Sequence, residues 1–254
     1  MANPVADIQI HAALLDDYLY IQDQPVVPGP GRFVAVQDTA GQAPVTHLFA
    51  LDSNGNLLHF RPDTSSHSGW TVNQVPHRAA GSIEGISALF HKGVLDVLIS
   101  CVDRGDTVQL LRWAGGDSWG YGYYNSGLSP LMNSSTLGPN RVGLFIDSSG
   151  GRYLYGAVEP LTPTSAEVFL GCYDESIGIW CSVSGTESFP NNYGATYWME
   201  EAEGGGVGIL NCDADGGLEA WFGSITNAGG PDPSFTHRSN YNVNFGIGST
   251  WRLS

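Results

Sequence analysis

Short apolar runs alternate with tight polar turns along most of this chain, and the alternation recurs. Val45 to Trp70 reads VTHLFALDSNGNLLHFRPDTSSHSGW: an apolar run, an Asp/Gly turn, a second apolar run, a polar turn and a Trp. Leu95 to Trp119, LDVLISCVDRGDTVQLLRWAGGDSW, repeats that order. A looser copy ends FLGCYDESIGIW at Trp180. In a fourth, GILNCDADGGLEAWF, the closing Trp is Trp221 within the hairpin or Trp251 beyond it. Apolar runs bounded by Asp, Asn, Gly and Ser are strand signals, and no segment of about 12 residues holds a helical period. The nearest helical stretch, Ile10 to Tyr20, breaks at Asp16-Asp17 and reads better as two strands and a turn.

Taking the turns as boundaries predicts four strands per repeat. The first set is Phe33 to Gln37, Thr46 to Leu51, Leu57 to Arg61 and Trp70 to Val75. The second is Ile86 to His91, Val94 to Val102, Thr107 to Trp113 and Trp119 to Tyr124. The third is Val142 to Ile146, Tyr153 to Val158, Glu167 to Tyr173 and Ile179 to Val183. The fourth is Thr196 to Glu200, Val207 to Asn211 and Leu218 to Gly223, with its outer strand displaced by the insertion Asn227 to Ser234. Short-strand repeats of roughly 40 to 55 residues are the mark of β-propeller blades, which bury their faces only against one another.

Met1 to Gly31 and Asn240 to Ser254 are left over. Ile8 to Leu15 and Tyr18 to Gln22 can join Val243 to Ile247 and Trp251 to Leu253 in one further blade. That closure ties both termini into one sheet and removes an open edge. The expectation is a single all-β propeller domain over residues 1–254, with five blades and the termini closing one of them. Six blades is the alternative if the N-terminal piece is compressed.

Composition narrows the partners. The 254 residues carry 25 acidic against 10 basic side chains, a formal charge of −15, which disfavours phosphate backbones and anionic membranes. Lys92 is the only Lys among the basic residues, and the rest are Arg, the residue that meets carboxylates and hydroxyls with a planar fork. No apolar run approaches the roughly 20 residues of a membrane span. The start, MANPVADIQIHAALL, has no basic n-region or continuous apolar core, so the chain reads as soluble and leaderless. Cys101, Cys172, Cys181 and Cys212 lack zinc spacing. Cys172 and Cys181 flank a hairpin turn and read as buried thiols, with a cross-strand disulfide as the alternative.

Candidate chemistry is sparse. The chain has no G-x-S-x-G, P-loop, H-E-x-x-H or Rossmann glycine run. The turns at Asp52 and Asp213 faintly resemble calcium loops but lack a terminal bidentate Glu, so they read as hairpin turns and no cofactor is expected. Arg104-Gly105-Asp106 reads as a turn in the same way. His47 and His59 can meet across a hairpin, which is more often cross-strand packing than a metal site. Glu200, Glu201 and Glu203 form the densest acidic cluster and read as a solvated turn. If the protein were an enzyme with one site at the central channel, His91, Asp147 and Glu200 would carry it, because they fall at or near inner-strand ends.

Aromatic and Arg residues fit sugars better, because a sugar offers hydroxyls in its ring plane and an apolar C–H face. Trp70 and Trp119 both follow the turn into an outer strand, and Arg61 and Arg112 both fall near a third-strand end. Repeated chemistry of this kind would build several similar sites around a ring. Trp113 and Trp221, inside apolar runs, read as core residues, while Trp70 and Trp119 read as rim residues. In the hairpins LDSNGNLLHF with SGW and CVDRGDTVQLLRW with DSW the chain resembles the propeller lectins, both the tachylectin type and the fungal fucose-binding type. The resemblance implies sites between blades built from Arg61, Trp70, Arg112, Trp119, Trp180 and Trp251, although no matching Glu recurs in each blade. The expected function is non-catalytic, multivalent carbohydrate binding with glycans or glycoconjugates as partners. The rivals are the channel enzyme and a receptor-binding or structural module of a toxin or surface assembly.

Overall fold

A computed structural model of the chain describes residues 33–38, 44–52, 54–66, 69–78, 81–102, 108–133, 142–158, 165–183, 187–190, 196–202, 206–212, 218–223 and 235–241, with side chains considered only as far as Val183. The polar turns fall where the chain reverses. Asp52 shows why: its carboxylate accepts the backbone N–H of Asn54 at 2.9 Å and of Asn56 at 2.8 Å, and Asn56 Nδ2 at 2.8 Å, so the side chain closes its own turn. Asp147 and Asp174 accept N–H bonds from Ser149 and Ser176 in the same manner. At the tight turn after His91, Lys92 and Gly93 both take positive φ (49° and 80°), the combination a two-residue hairpin of matching twist requires.

Among the described residues these turns fold the chain into four antiparallel meanders. The first sheet is β1 (Phe33–Asp38), β2 (Val45–Leu51), β3 (Leu57–Pro62) and β4 (Trp70–Gln74). The second is β5 (Ser82–His91), β6 (Val94–Val102), β7 (Val108–Gly115) and β8 (Ser118–Tyr121). The third is β9 (Val142–Ile146), β10 (Arg152–Val158), β11 (Ser165–Asp174) and β12 (Ile179–Ser182), with β13 (Glu187–Pro190) pairing on the far end of β11. The fourth is β14 (Thr196–Ala202), β15 (Gly206–Cys212), β16 (Leu218–Gly223) and β17 (Phe235–Tyr241). β1 lies against β5, β5 against β9 and β9 against β14, so first strands line the inside and later strands fan outward. The architecture is a β-propeller.

The expected strands stand within a few residues of the observed ones. The displaced outer strand of the fourth blade is β17, beyond the insertion, joined to β16 with an irregularity between Ala220 and Trp221. The strands expected to form a closing fifth blade, and Trp251 with them, lie outside the described residues, as do the Asp213 turn and Arg104–Asp106.

Blades bury both faces, so their middle strands are almost continuously apolar. Phe49, Leu51 and Leu57 of the first blade pack on Ile83, Ile86, Leu95, Val97, Ile99 and Leu111 of the second. The alternate residues Leu48, Ala50, Leu58 and Phe60 are buried on the opposite face with Trp70 and Val72 beside them. Between the second and third blades, Leu98, Val108 and Leu110 meet Leu154, Phe169 and Trp180. A 3-10 turn at Ser126–Leu128 and a short helix at Ser129–Met132 push Leu128, Leu131 and Met132 into the same seam. Leu128, Leu131 and Met132 thus form a hydrophobic plug between the two blades. Gly156 accommodates it, since a Cβ there would collide with the Leu131 methyls. Among the described residues no helix is long and apolar enough to cross a membrane.

Among the described residues Trp180 is the largest fully buried side chain, with 0 % exposure. Its removal leaves a void between two blades that neither can close alone. Trp180→Ala should therefore lower the unfolding free energy by about 3–5 kcal/mol, measured by chemical denaturation. A loss under about 1 kcal/mol would show that the seam is not a close-packed core.

Candidate functional site

Outer-strand hydrogen bonds set which positions correspond from blade to blade. Val75 N donates to Leu57 O, Gly122 N to Leu110 O and Val183 N to Leu170 O, each at 2.8 Å. Two residues on, all facing the following blade, stand His59, Arg112 and Cys172. Their neighbours on the second strands are Phe49, Asp96 and Tyr153. On the opposite face Trp113 pairs with Trp119 and Tyr173 with Trp180, where the first blade has Phe60 and Val72. Two expected equivalences are therefore corrected. Arg61 lies two residues further along the third strand than the Arg112 position, and Trp119 corresponds to Trp180 rather than to Trp70. The connections differ in length between blades, so sequence spacing misaligned them.

The seam between the second and third blades holds a charged cluster. Asp96 faces it from β6 with its side chain 1 % exposed, and Arg112 on β7 grips both its oxygens (Nε to Oδ1 at 2.7 Å, Nη2 to Oδ2 at 3.1 Å). From the third blade Arg152, 4 % exposed, reaches the same carboxylate with Nη1 at 3.3 Å and Glu175 with Nη2 at 3.1 Å. Both guanidinium groups lie over the Tyr173 ring, Arg152 Cζ at 3.7 Å and Arg112 Cζ at 4.9 Å from its centroid, and its hydroxyl accepts Arg112 Nη1 at 2.9 Å. Arg112 remains 24 % exposed and Glu175 58 %, so buried charges grade into an accessible rim. His91 stands close by at the end of β5, against Gly150 of the third blade. Charged donors, an acceptor and an aromatic ring thus converge from two blades.

The seam between the first and second blades is aromatic instead. His47 Nδ1 and His59 Nε2 are 2.9 Å apart, one donating and the other accepting. His59 stacks on Phe49 and meets Trp113 and Trp119 edge-on. Arg61 lies over the Trp113 ring, 5.8 Å from its centroid, and pairs at 2.9 Å with Asp117, which Asn73 also contacts. Burial, then His47 and Arg61, push the His59 pKa down to about 3, and burial also lowers His47. Both rings are neutral near pH 7. The two rings stack across the strands, and among the described residues no group of three or more His, Cys, Asp or Glu is arranged as a metal site.

The remaining expected residues fall as follows. Trp70 is half-buried against the outer face of the first blade, and Trp119 is half-buried against Phe49 and His59. Trp180 is enclosed and offers a sugar no surface. Trp113, expected in the core, is half-buried at the seam, with Nε1 donating to Gly116 O at 2.9 Å. The Asp147 carboxylate is engaged by Ser149, Gly151 and Tyr153; burial alone would raise its pKa, and these bonds outweigh it. The side chains of Glu200 and Trp221 lie outside the described ones. Cys172 stands directly opposite Cys181, and both are free thiols, as is Cys101. Sequence reasoning missed Asp96, Arg152, Tyr173 and Glu175. The available signal was Asp96 itself, a lone carboxylate inside the apolar run LDVLIS.

No family model matches the chain, and no curated protein matches it. Among solved structures, the six-bladed β-propeller fungal lectin of Aleuria aurantia, described with a fucose recognition mode, aligns with a TM-score of 0.55 at 14 % identity. A second structure of the fucose-specific lectin from Aleuria aurantia gives 0.52 at 12 %. The likeness is one of fold. Each alignment covers 82 % of this chain, which spans 62 % of the lectin's length.

The buried His pair makes stability depend on pH. Unfolded, His59 takes up a proton near its ordinary value of 6.5, whereas folded it does so only near about 3. Between those values the unfolded chain binds more protons, so stability falls as pH falls through that window. Denaturation midpoints should drop steadily from pH 7 to pH 4, and His59→Phe should flatten the slope. A midpoint that rises on acidification would contradict the burial of neutral rings.

Proposed function

We propose that the protein is a non-catalytic carbohydrate-binding protein that holds sugars in the clefts between its blades. The observation that carries this reading is the convergence of Asp96, Arg112, Arg152 and Tyr173 at one seam, with an exposed rim. Arg112 is 24 % exposed at the rim, where a sugar hydroxyl can compete for the Nη1 bond it now gives to the Tyr173 hydroxyl, and Tyr173 supplies an aromatic ring beside it. The fold likeness to a fucose-specific lectin supports the same reading, with fucose itself as one sugar to test.

Several sites per chain are part of the proposal, but the seams have unlike walls. One is charged, and its neighbour sets Arg61 among His59, Trp113 and Trp119. The sites are therefore expected to differ in affinity rather than to repeat. The channel-enzyme alternative loses ground, because Asp147 is committed to its own turn.

A glycan array followed by calorimetry tests the proposal. The wild type should bind with more than one class of site and release no product. Arg112→Ala should weaken the site at the second seam by roughly 10-fold or more, as expected for loss of a charged hydrogen bond, while leaving Asp96 paired with Arg152. Absence of glycan binding, or an Arg112→Ala variant that binds like wild type in a folded state, would overturn it.

A further inference from the structure

Resting on that reading, we infer that the cleft between the second and third blades accepts glycans bearing a carboxylate, such as uronic acids, and that Glu175 occupies the carboxylate seat when no ligand is bound. The argument lies in how two Arg side chains use the same edge. Arg112 presents Nε and Nη2 to Asp96, and both are taken, one by each carboxylate oxygen. That side-on fork is the geometry in which Arg meets a carboxylate best. Arg152 has the same edge half used. Its Nη2 donates to Glu175 Oε1 at 3.1 Å, while its Nε is buried and has no acceptor.

A buried Arg with an idle donor on its recognition edge is under-satisfied, and the cost of such a group is comparable to that of a lost hydrogen bond. Glu175 does not satisfy it: its bond to Arg152 is the single one from Nη2 to Oε1. It belongs to the hairpin turn between β11 and β12, whose backbone is fixed by Gly178 N donating to Asp174 O at 2.8 Å. Its side chain is 58 % exposed, so it can swing into water at little cost. Arg152 is itself only 4 % exposed, and the exposed Glu175 is the partner through which its Nη2 edge meets solvent. A ligand carboxylate, free of the turn's constraint, can take both Nε and Nη2.

Local charge agrees. Arg112 and Arg152 face Asp96 and Glu175 here, so displacing Glu175 leaves two guanidinium groups on one carboxylate in a chain that is acidic overall. His91 Nε2 is a further buried ring nitrogen without a partner beside Arg152, placed to meet a ring hydroxyl.

The test compares galacturonate and glucuronate oligomers with their methyl esters, which share the sugar and lack the charge. Calorimetry is run on wild type, Glu175→Ala and Glu175→Ala/Arg152→Lys. In Glu175→Ala the ratio of acid to ester affinity should rise about 10-fold or more over wild type, and Arg152→Lys, which has no fork, should remove the gain. Raised salt should weaken the acid more than the ester. Equal binding of acid and ester by Glu175→Ala, or binding of neutral sugars alone, overturns this inference and leaves the lectin reading standing. Failure of every glycan to bind overturns both.

Discussion

A carboxylate with almost no contact with water has to be paired, and Asp96 is paired by an Arg from its own blade and an Arg from the next. Breaking such a pair leaves an uncompensated buried charge, which typically costs about 3–5 kcal/mol. The two blades are therefore held at one separation and one height, since guanidinium and carboxylate must meet within hydrogen-bond distance. Tyr173, in contact with both guanidinium groups, carries that constraint to Trp180, which meets its ring edge-on from β12. The apolar plug from Leu128 to Met132 supplies the non-directional part of the same joint.

The neighbouring joint obeys a different rule. At the position of Arg112 the first blade carries His59, neutral and stacked, and at the position of Asp96 it carries Phe49. Its charge pair, Arg61 with Asp117, lies at the surface, where Asp117 is 77 % exposed. Exposed pairs contribute little to stability and yield readily to a competing partner. A propeller with such unlike seams keeps one fold while offering several kinds of cleft. The third blade continues the divergence, with Tyr153 and Cys172 at the corresponding places.

Strand positions were legible because the signals are local. Asp52, Asp147 and Asp174 hold their turns with their own side chains, and apolar runs of blade length follow from burial on both faces. The correspondence between blades was not legible. Arg61 and Arg112 both fall near the end of a third strand, yet strand pairing sets them two residues apart, and the turns into β4 and β8 differ in length. The site was hidden for a related reason. Asp96, Arg152 and Glu175 come from three separate strands and turns, and only docking of one blade on another brings them together. Trp180 misled in the opposite sense: an aromatic ring at a turn edge suggests a sugar platform until the plug beneath it is seen.

The most direct measurement is a crystal structure of the protein with the glycan selected by the array. The account requires a sugar in the seam between the second and third blades, with a ring hydroxyl or carboxylate hydrogen-bonded to Arg112 or Arg152 and an apolar face near Tyr173. A sugar bound only among the inner strands β1, β5, β9 and β14, with the Asp96 cluster untouched, would contradict it.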